Sequence, residues 1–203
     1  MIPRMPTTDL VRHLDFLREI DRLKSVQRRT ALVDRSRLEN SAEHSWHAAV
    51  AALVLAGQAP AGTDIAHVVR MLLVHDLVEV DAGDTFAYDP AGQHDKAARE
   101  QAAADRLFGL LPPGPGAEAR AWWEEFEAGQ TREAMMATAL DRFAGLLQNW
   151  GGGDGGTWRH HGVTREMVMA RMEPIRTGLP ALWDTVVAIV EEATAAGHLQ
   201  DAG

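Results

Sequence analysis

The chain has 203 residues, with 20 Lys or Arg, 29 Asp or Glu, no Cys and a formal charge of -9. That length suits one domain whose core stands without staples. The cysteine count excludes disulfide frameworks, thiolate zinc sites and cysteine nucleophiles, and the charge has the wrong sign for gripping a nucleic-acid polymer over many phosphates. The opening Met1-Ile2-Pro3-Arg4-Met5-Pro6 lacks the apolar run of a secretion signal. No stretch approaches the roughly 20 apolar residues of a membrane span, so a cytoplasmic protein with no membrane partner is expected.

In chain order the segments read as helices, with little of the alternation that marks strands. Thr7-Thr8-Asp9 offers capping oxygens ahead of a helical-period stripe, Leu10, His13, Leu14, Leu17 and Leu23. An extended, charged connection from Arg28 to Asn40 precedes a helix from about Ser41 through Ala56, ended by Gly57 and Pro60. Its stripe of Trp46, Val50, Leu53 and Val54 is expected to pack inward. A third helix starts near Thr63-Asp64 and carries the apolar run Ile65 to Glu79, which places Asp76 in line with Ile65, Val69, Leu72 and Val80 on the core-facing stripe. Asp81-Ala82-Gly83-Asp84 stops it, and a loop from Thr85 to Gln93 turns at Pro90 and Gly92.

Helix resumes over Asp95 to Leu111 and breaks at Pro112-Pro113-Gly114-Pro115-Gly116. The helix Ala117 to Ala128 carries Trp122, Trp123 and Phe126, which read as core or as a homodimer surface. The next runs from Thr131 to Trp150, with Met136, Leu140, Phe143, Leu147 and Trp150 as its core stripe. Asp141 lies on the neighbouring face among Ala134, Thr138 and Gly145. The run Gly151 to Gly156 lacks the Gly-Lys-Ser/Thr ending and preceding strand of a phosphate cradle and reads as a flexible connection. Helices follow around Thr164 to Arg176 and Leu179 to Ala196, and the tail frays from His198. The whole reads as one all-α domain.

An isolated carboxylate at Asp76 on a core-facing stripe would sooner take up a proton. With His75 beside it, His44 at the head of the second helix and Asp141 further on, the charge reads as one end of a metal site. His75 and Asp76, about 100° apart on a helix, reach one ion only if it sits close to the helix surface. Glu79 is i+4 from the histidine and i+3 from the aspartate, where a carboxylate can take a proton from a water beside the ion. Asp84, after the Gly83 turn, is a second candidate for proton transfer. The blander alternatives are a salt bridge from Asp76 to Arg70 or Arg142, and a satisfied core histidine at His75. Together they require several polar intrusions into apolar helices. His47 reads as a surface residue or as support behind the ligands, His94 as a candidate ligand for a second ion, and His160 and His161 as solvated.

The segments Arg37-Leu38-Glu39-Asn40-Ser41-Ala42-Glu43-His44-Ser45, Leu73-Val74-His75-Asp76-Leu77-Val78-Glu79 with Ala82-Gly83-Asp84, and Ala139-Leu140-Asp141 resemble the HD-domain phosphohydrolases, within them the 5'-deoxynucleotidase-like branch. The likeness runs from about Leu14 to Trp150 and takes in Trp123-Glu124-Glu125-Phe126-Glu127. It implies a single helical bundle, with a core over about residues 8–150 and a C-terminal helical extension over about 157–198. It also implies that His44, His75, Asp76 and Asp141 hold one divalent cation (Mn, Co, Mg, Ni, Zn or Fe). Glu79 and Asp84 would handle protons, and an arginine best matched by Arg29, with Arg28 adjoining, would hold the phosphate. The implied reaction removes phosphate from a nucleoside 5'-monophosphate, and relatives of this kind are commonly dimers. The branch often has a bulky aromatic after the phosphate-binding arginine, where this chain has Thr30. A di-iron oxygenase on the same scaffold and a silent nucleotide-binding domain are the alternatives.

Overall fold

The computed structural model describes residues 9–200, so Thr7, Thr8 and the tail Asp201 to Gly203 lie outside it. Helix α1 (Asp9–Ile20) leaves Leu10, Leu14 and Leu17 at 55%, 45% and 58% exposure and buries Phe16 instead. Arg12 explains the rotation: its guanidinium donates to the carbonyls of Gly109 and Leu110, while Phe16 and Leu23 enter a small core with Leu107, Phe108 and Trp123.

Strands β1 (Gln27–Ala31) and β2 (Leu38–Asn40) form an antiparallel ribbon where only an extended connection was expected. Segments this short carry too few residues to display alternation. The turn between them is polar: Asp34 accepts hydrogen bonds from the Ser36 amide and hydroxyl, and Arg35 takes the left-handed conformation at φ 61°.

Asn40 then caps α2 (Ser41–Val54), its side chain accepting from the Glu43 amide while Glu43 accepts from the Asn40 amide. The buried face of α2 is Ser41, His44, Ser45, Ala48, Ala49 and Ala52, and the expected packing stripe faces outward, with Trp46, Leu53 and Val54 at 63%, 60% and 76% exposure. Small side chains permit the close approach of α2 to its neighbours that a tryptophan and leucine face would prevent.

Asp64 caps α3 (Ile65–Val74) by accepting from the His67 amide, but the helix stops before His75 rather than continuing through Glu79. Leu77 N–H bonds the Val74 carbonyl at 3.1 Å and Glu79 N–H bonds that of Asp76 at 3.0 Å. These i to i+3 bonds tighten the chain into turns. His75 and Asp76 therefore sit on a break, not in a continuous helix. Helix α4 (Glu79–Ala82) follows and ends at Gly83, whose φ of 72° suits a residue without a Cβ.

After α5 (Pro90–Gln93) and α6 (Lys96–Phe108) comes α7 (Pro113–Ala128). The expected break at residues 112–116 is largely the first turn of α7, where Pro113 and Pro115 forfeit no intrahelical bond. Trp123 is buried, and Trp122 and Phe126 pack partly against the core. Helix α8 (Arg132–Gly151), capped by Thr131, buries Met136, Leu140 and Phe143 as expected, while Leu147 is half-buried and Trp150 is exposed.

The glycine run is pinned rather than loose: Arg35 donates to the Gln148 and Asn149 carbonyls at 3.1 Å and pairs with Asp154 at 2.7 Å. Helices α9 (Gly156–His160), α10 (Arg165–Gly178) and α11 (Trp183–Ala195) complete the described chain. The segment after α11 is tied down up to residue 200, with Leu199 buried and the Gln200 amide bonded to the Val163 carbonyl.

One large core joins Ala48, Met71, Met136 and Leu140 with Trp158, Met172, Ile175 and Val190, so the C-terminal helices pack into the same interior as α2, α3 and α8. Helix α10 lies close on α8 at Gly178, where a Cβ would fall 2.0 Å from the Met135 carbonyl oxygen. Gly178→Ala is expected to lower stability by roughly 1–3 kcal/mol through this overpacking. Thermal unfolding checks it, and an unchanged midpoint would contradict so close an approach. Among the described residues no helix is long and apolar enough to cross a membrane.

Candidate metal centre and its cavity

Three separate parts of the chain meet behind the cavity: the first turn of α2 brings His44, the break after α3 brings His75 and Asp76, and the middle of α8 brings Asp141. His44, His75 and Asp141 each offer a ligand atom, all within 4.8 Å of one another. His44 Nε2 is 2.8 Å from Asp141 Oδ1, and His75 Nε2 is 4.0 Å from the same oxygen. Asp76 borders this group without belonging to its mutual cluster; its Oδ1 is 3.1 Å from His75 Nε2 and its Oδ2 is 3.4 Å from Arg28 Nη1.

His75 Nδ1 lies 2.8 Å from the Leu72 carbonyl, which can only accept, so Nδ1 carries the hydrogen. The lone pair of neutral His75 is then on Nε2, a buried atom with no hydrogen-bond partner. Burial and Arg28 act to lower the His44 pKa, but the hydrogen bond to Asp141 and the Glu39 carboxylate facing Nδ1 win and lift it to about 9. Burial would raise Asp141, yet the His44 hydrogen bond and the nearby Arg142 hold it well below the usual carboxylate range. Two imidazoles, that of His75 with an orphaned ring nitrogen, and an ionised carboxylate fit a first-row divalent cation.

His75, Asp76 and Asp141 line a cavity of about 350 Å³ that Glu79 and Asp84 also line. Glu79 is buried and accepts from the Ser41 hydroxyl at 2.5 Å. Burial first, then Asp76 and Asp84, push its pKa well above the ordinary glutamate value. Burial likewise raises Asp84. Both positions suit proton transfer.

Consecutive strand residues point to opposite faces, and β1 separates the two arginines accordingly. Arg28 turns inward, with Nε 3.2 Å from Glu39 Oε2 and Nη1 3.4 Å from Asp76 and 3.8 Å from Asp84. Arg29 is exposed, lines the cavity and places its guanidinium 5.5 Å from the centre of the Phe86 ring.

The cation on Asp76 is thus Arg28, neither Arg70, which lies over Trp122, nor Arg142, which sits 3.8 Å from Asp141. His47 stacks on Trp46, 6.2 Å between ring centres, and His94 is exposed; neither enters the ligand group. His161 packs its ring 4.7 Å from that of Phe86. Sequence reasoning took Phe126 for core or dimer surface, whereas its ring centre is 4.7 Å from that of His75, and it passed over Tyr88, Lys96, Trp158 and Arg171 of the cavity wall. Their residue types were visible, but nothing in helical period says which faces share a cavity.

The curated relatives include the 5'-deoxynucleotidase HDDC2 of Homo sapiens, 34% identical over 137 residues, which cover 66% of this chain and 65% of that protein. That of Xenopus laevis is 36% identical over 80 residues, 39% of this chain and 40% of that protein. The matches thus span about two fifths to two thirds of those two relatives' length. A solved structure from Magnetospirillum magnetotacticum MS-1, described as a predicted metal-dependent phosphohydrolase, is 49% identical with a TM-score of 0.89, covering 94% of this chain and 98% of that one. The HD domain family matches residues 20–183, a span that runs from the end of α1 to the start of α11 and contains all the residues of the centre, and this chain belongs to that family.

Proposed function

We propose that this chain is a metal-dependent phosphomonoesterase that releases phosphate from nucleoside 5'-monophosphates. The observation that carries the reading is the meeting of His44, His75 and Asp141, with Asp76 alongside, next to a cavity that also holds two carboxyl groups of raised pKa, buried Glu79 and half-buried Asp84. The similar 5'-deoxynucleotidases and the similar metal-dependent phosphohydrolase support the same chemistry.

His44, His75, Asp76 and Asp141 would hold one divalent cation, from among Mn, Co, Mg, Ni, Zn or Fe. Such a cation lowers the pKa of water and offsets the charge of the phosphoryl group. Glu79 takes the proton of the attacking water as its oxygen bonds to phosphorus. Asp84 gives a proton to the 5' oxygen as its bond to phosphorus breaks, leaving a nucleoside and inorganic phosphate. Arg29, free of carboxylate partners among the described residues, offers its guanidinium to the phosphate oxygens.

Thr30 lines the cavity where the branch often has a bulky aromatic, so ribonucleotides are admitted alongside deoxyribonucleotides in this reading. A di-iron oxidase needs more ligands, and His94, the residue that the sequence held ready, stands outside the group. The homodimer belongs to the proposal too: Trp46, Leu53 and Val54 stay exposed on α2, and sedimentation velocity reads the stoichiometry.

The test is phosphate release by purified protein from a panel of ribo- and deoxyribonucleoside monophosphates, with each metal in turn. Release is expected to stop on chelation and return on adding metal back. No metal-dependent release across the panel would overturn the reading.

A further inference from the structure

We propose that Glu39 is the positioning residue of the metal centre, a carboxylate that fixes His44 from behind and, through Arg28, ties Asp76 and Asp84 to the same frame. This rests on the metal reading above and concerns a residue with no role in the steps written there.

Glu39 lies in β2 at 1% exposure, although an isolated carboxylate is among the costliest groups to bury. It is not part of the cavity wall, so it does not meet a substrate there. Its Oε1 accepts from Gln148 Nε2 of α8 at 2.5 Å. Its Oε2 faces two donors, Arg28 Nε at 3.2 Å and His44 Nδ1 at 3.6 Å. All three of these facing atoms are buried and none makes a full hydrogen bond. Native proteins leave few buried polar atoms in that condition, and three around one point ask for an explanation.

The chemistry of imidazole supplies one. When His44 gives its Nε2 lone pair to a cation, the ring hydrogen can reside only on Nδ1, and the acceptor that faces Nδ1 is Glu39 Oε2. A carboxylate receiving that hydrogen sets the tautomer, orients the ring and makes Nε2 a better donor to metal. The same oxygen holds Arg28 Nε, and the other end of that guanidinium reaches Asp76 and Asp84. One buried carboxylate thereby braces a metal ligand from α2, a second from the break after α3 and a proton-transfer group beyond Gly83. Gln148 anchors it to α8, the helix that bears Asp141.

Glu39→Gln keeps the shape and an oxygen for Gln148 while removing the charge. With cobalt(II) as probe, chelator competition is expected to show about 10- to 100-fold weaker binding. The cobalt absorption spectrum should shift as the His44 donor changes, and KM at saturating cobalt should stay near the wild-type value. A purely structural ion pair to Arg28 predicts a lower melting temperature with unchanged cobalt affinity. Affinity within twofold of wild type would overturn the proposal. Should the variant not fold, proton and nitrogen-15 histidine spectra of the zinc-loaded wild-type protein decide: a His44 Nδ1 hydrogen shifted strongly downfield, as a carboxylate acceptor makes it, supports the proposal, and one at the position of an unbonded imidazole N–H overturns it. Wild-type protein that takes up no cation would overturn the metal reading itself, whereas tight binding by both proteins removes only the role of Glu39.

Discussion

Asp141→Asn is expected to strip the centre of metal and to lower phosphate release roughly a thousandfold or more. Asp141 is the carboxylate that faces both imidazoles, 2.8 Å from His44 Nε2 and 4.0 Å from His75 Nε2. An asparagine preserves the shape and an acceptor for His44, so the fold should persist. It removes the negative charge that a divalent cation requires at this point. A Lewis-acidic cation supplies several kcal/mol of charge stabilisation in the transition state, and about 4 kcal/mol corresponds to a thousandfold in rate. Metal content by elemental analysis and turnover on the best nucleotide should therefore fall together, and the metal-free protein should melt at a lower temperature as well, because the ionised carboxylate that pairs with His44 is gone. A variant that keeps both metal and turnover would remove Asp141 from the centre.

Arg28→Met is expected to destabilise the metal-free protein by about 3–5 kcal/mol, the scale for leaving buried charge unpaired. Arg28 is the cation shared by Glu39, Asp76 and Asp84, and its own side chain is only 16% exposed. Removing it leaves Glu39, Asp76 and Asp84 without the guanidinium they share. Arg29→Ala should behave in the opposite sense. Arg29 is exposed and supports no ion pair among the described residues, so stability should hold. Loss of a charge-assisted hydrogen bond of about 1.5–3 kcal/mol would raise KM about ten- to a hundredfold. Urea unfolding of chelated protein and steady-state kinetics of loaded protein separate the two effects. If Arg29→Ala left KM unchanged while Arg28→Met raised it in protein still folded, the phosphate arginine would be Arg28.

The contrast between these adjacent arginines marks where sequence reading loses its grip. Their side chains differ in fate because β1 is a strand, and β1 was invisible as one because five residues beside a three-residue partner show no period. Tertiary packing also reversed the face of α2. Hydrophobicity pointed to Trp46, Leu53 and Val54, but alanines let the helix reach α3 and α8 closely enough to carry His44 to Asp141. The centre's residue types were legible all the same, since histidine and aspartate in apolar surroundings are conspicuous whatever the exact backbone.

Local signals determined the helical class of this protein and most of its punctuation. Asn40, Asp64 and Thr131 cap the helices they precede, and Gly83 and Gly129 end others, because each acts on amides or carbonyls within a turn of itself. Only the tertiary structure decided that the α3 helix breaks at His75, that Arg28 rather than Arg29 turns inward, and that Glu39 stands behind His44. Those outcomes depend on partners far along the chain, such as Asp141, 97 residues from His44, and Gln148, 109 residues from Glu39. No periodicity within one segment can report on a contact whose other half is folded in from elsewhere.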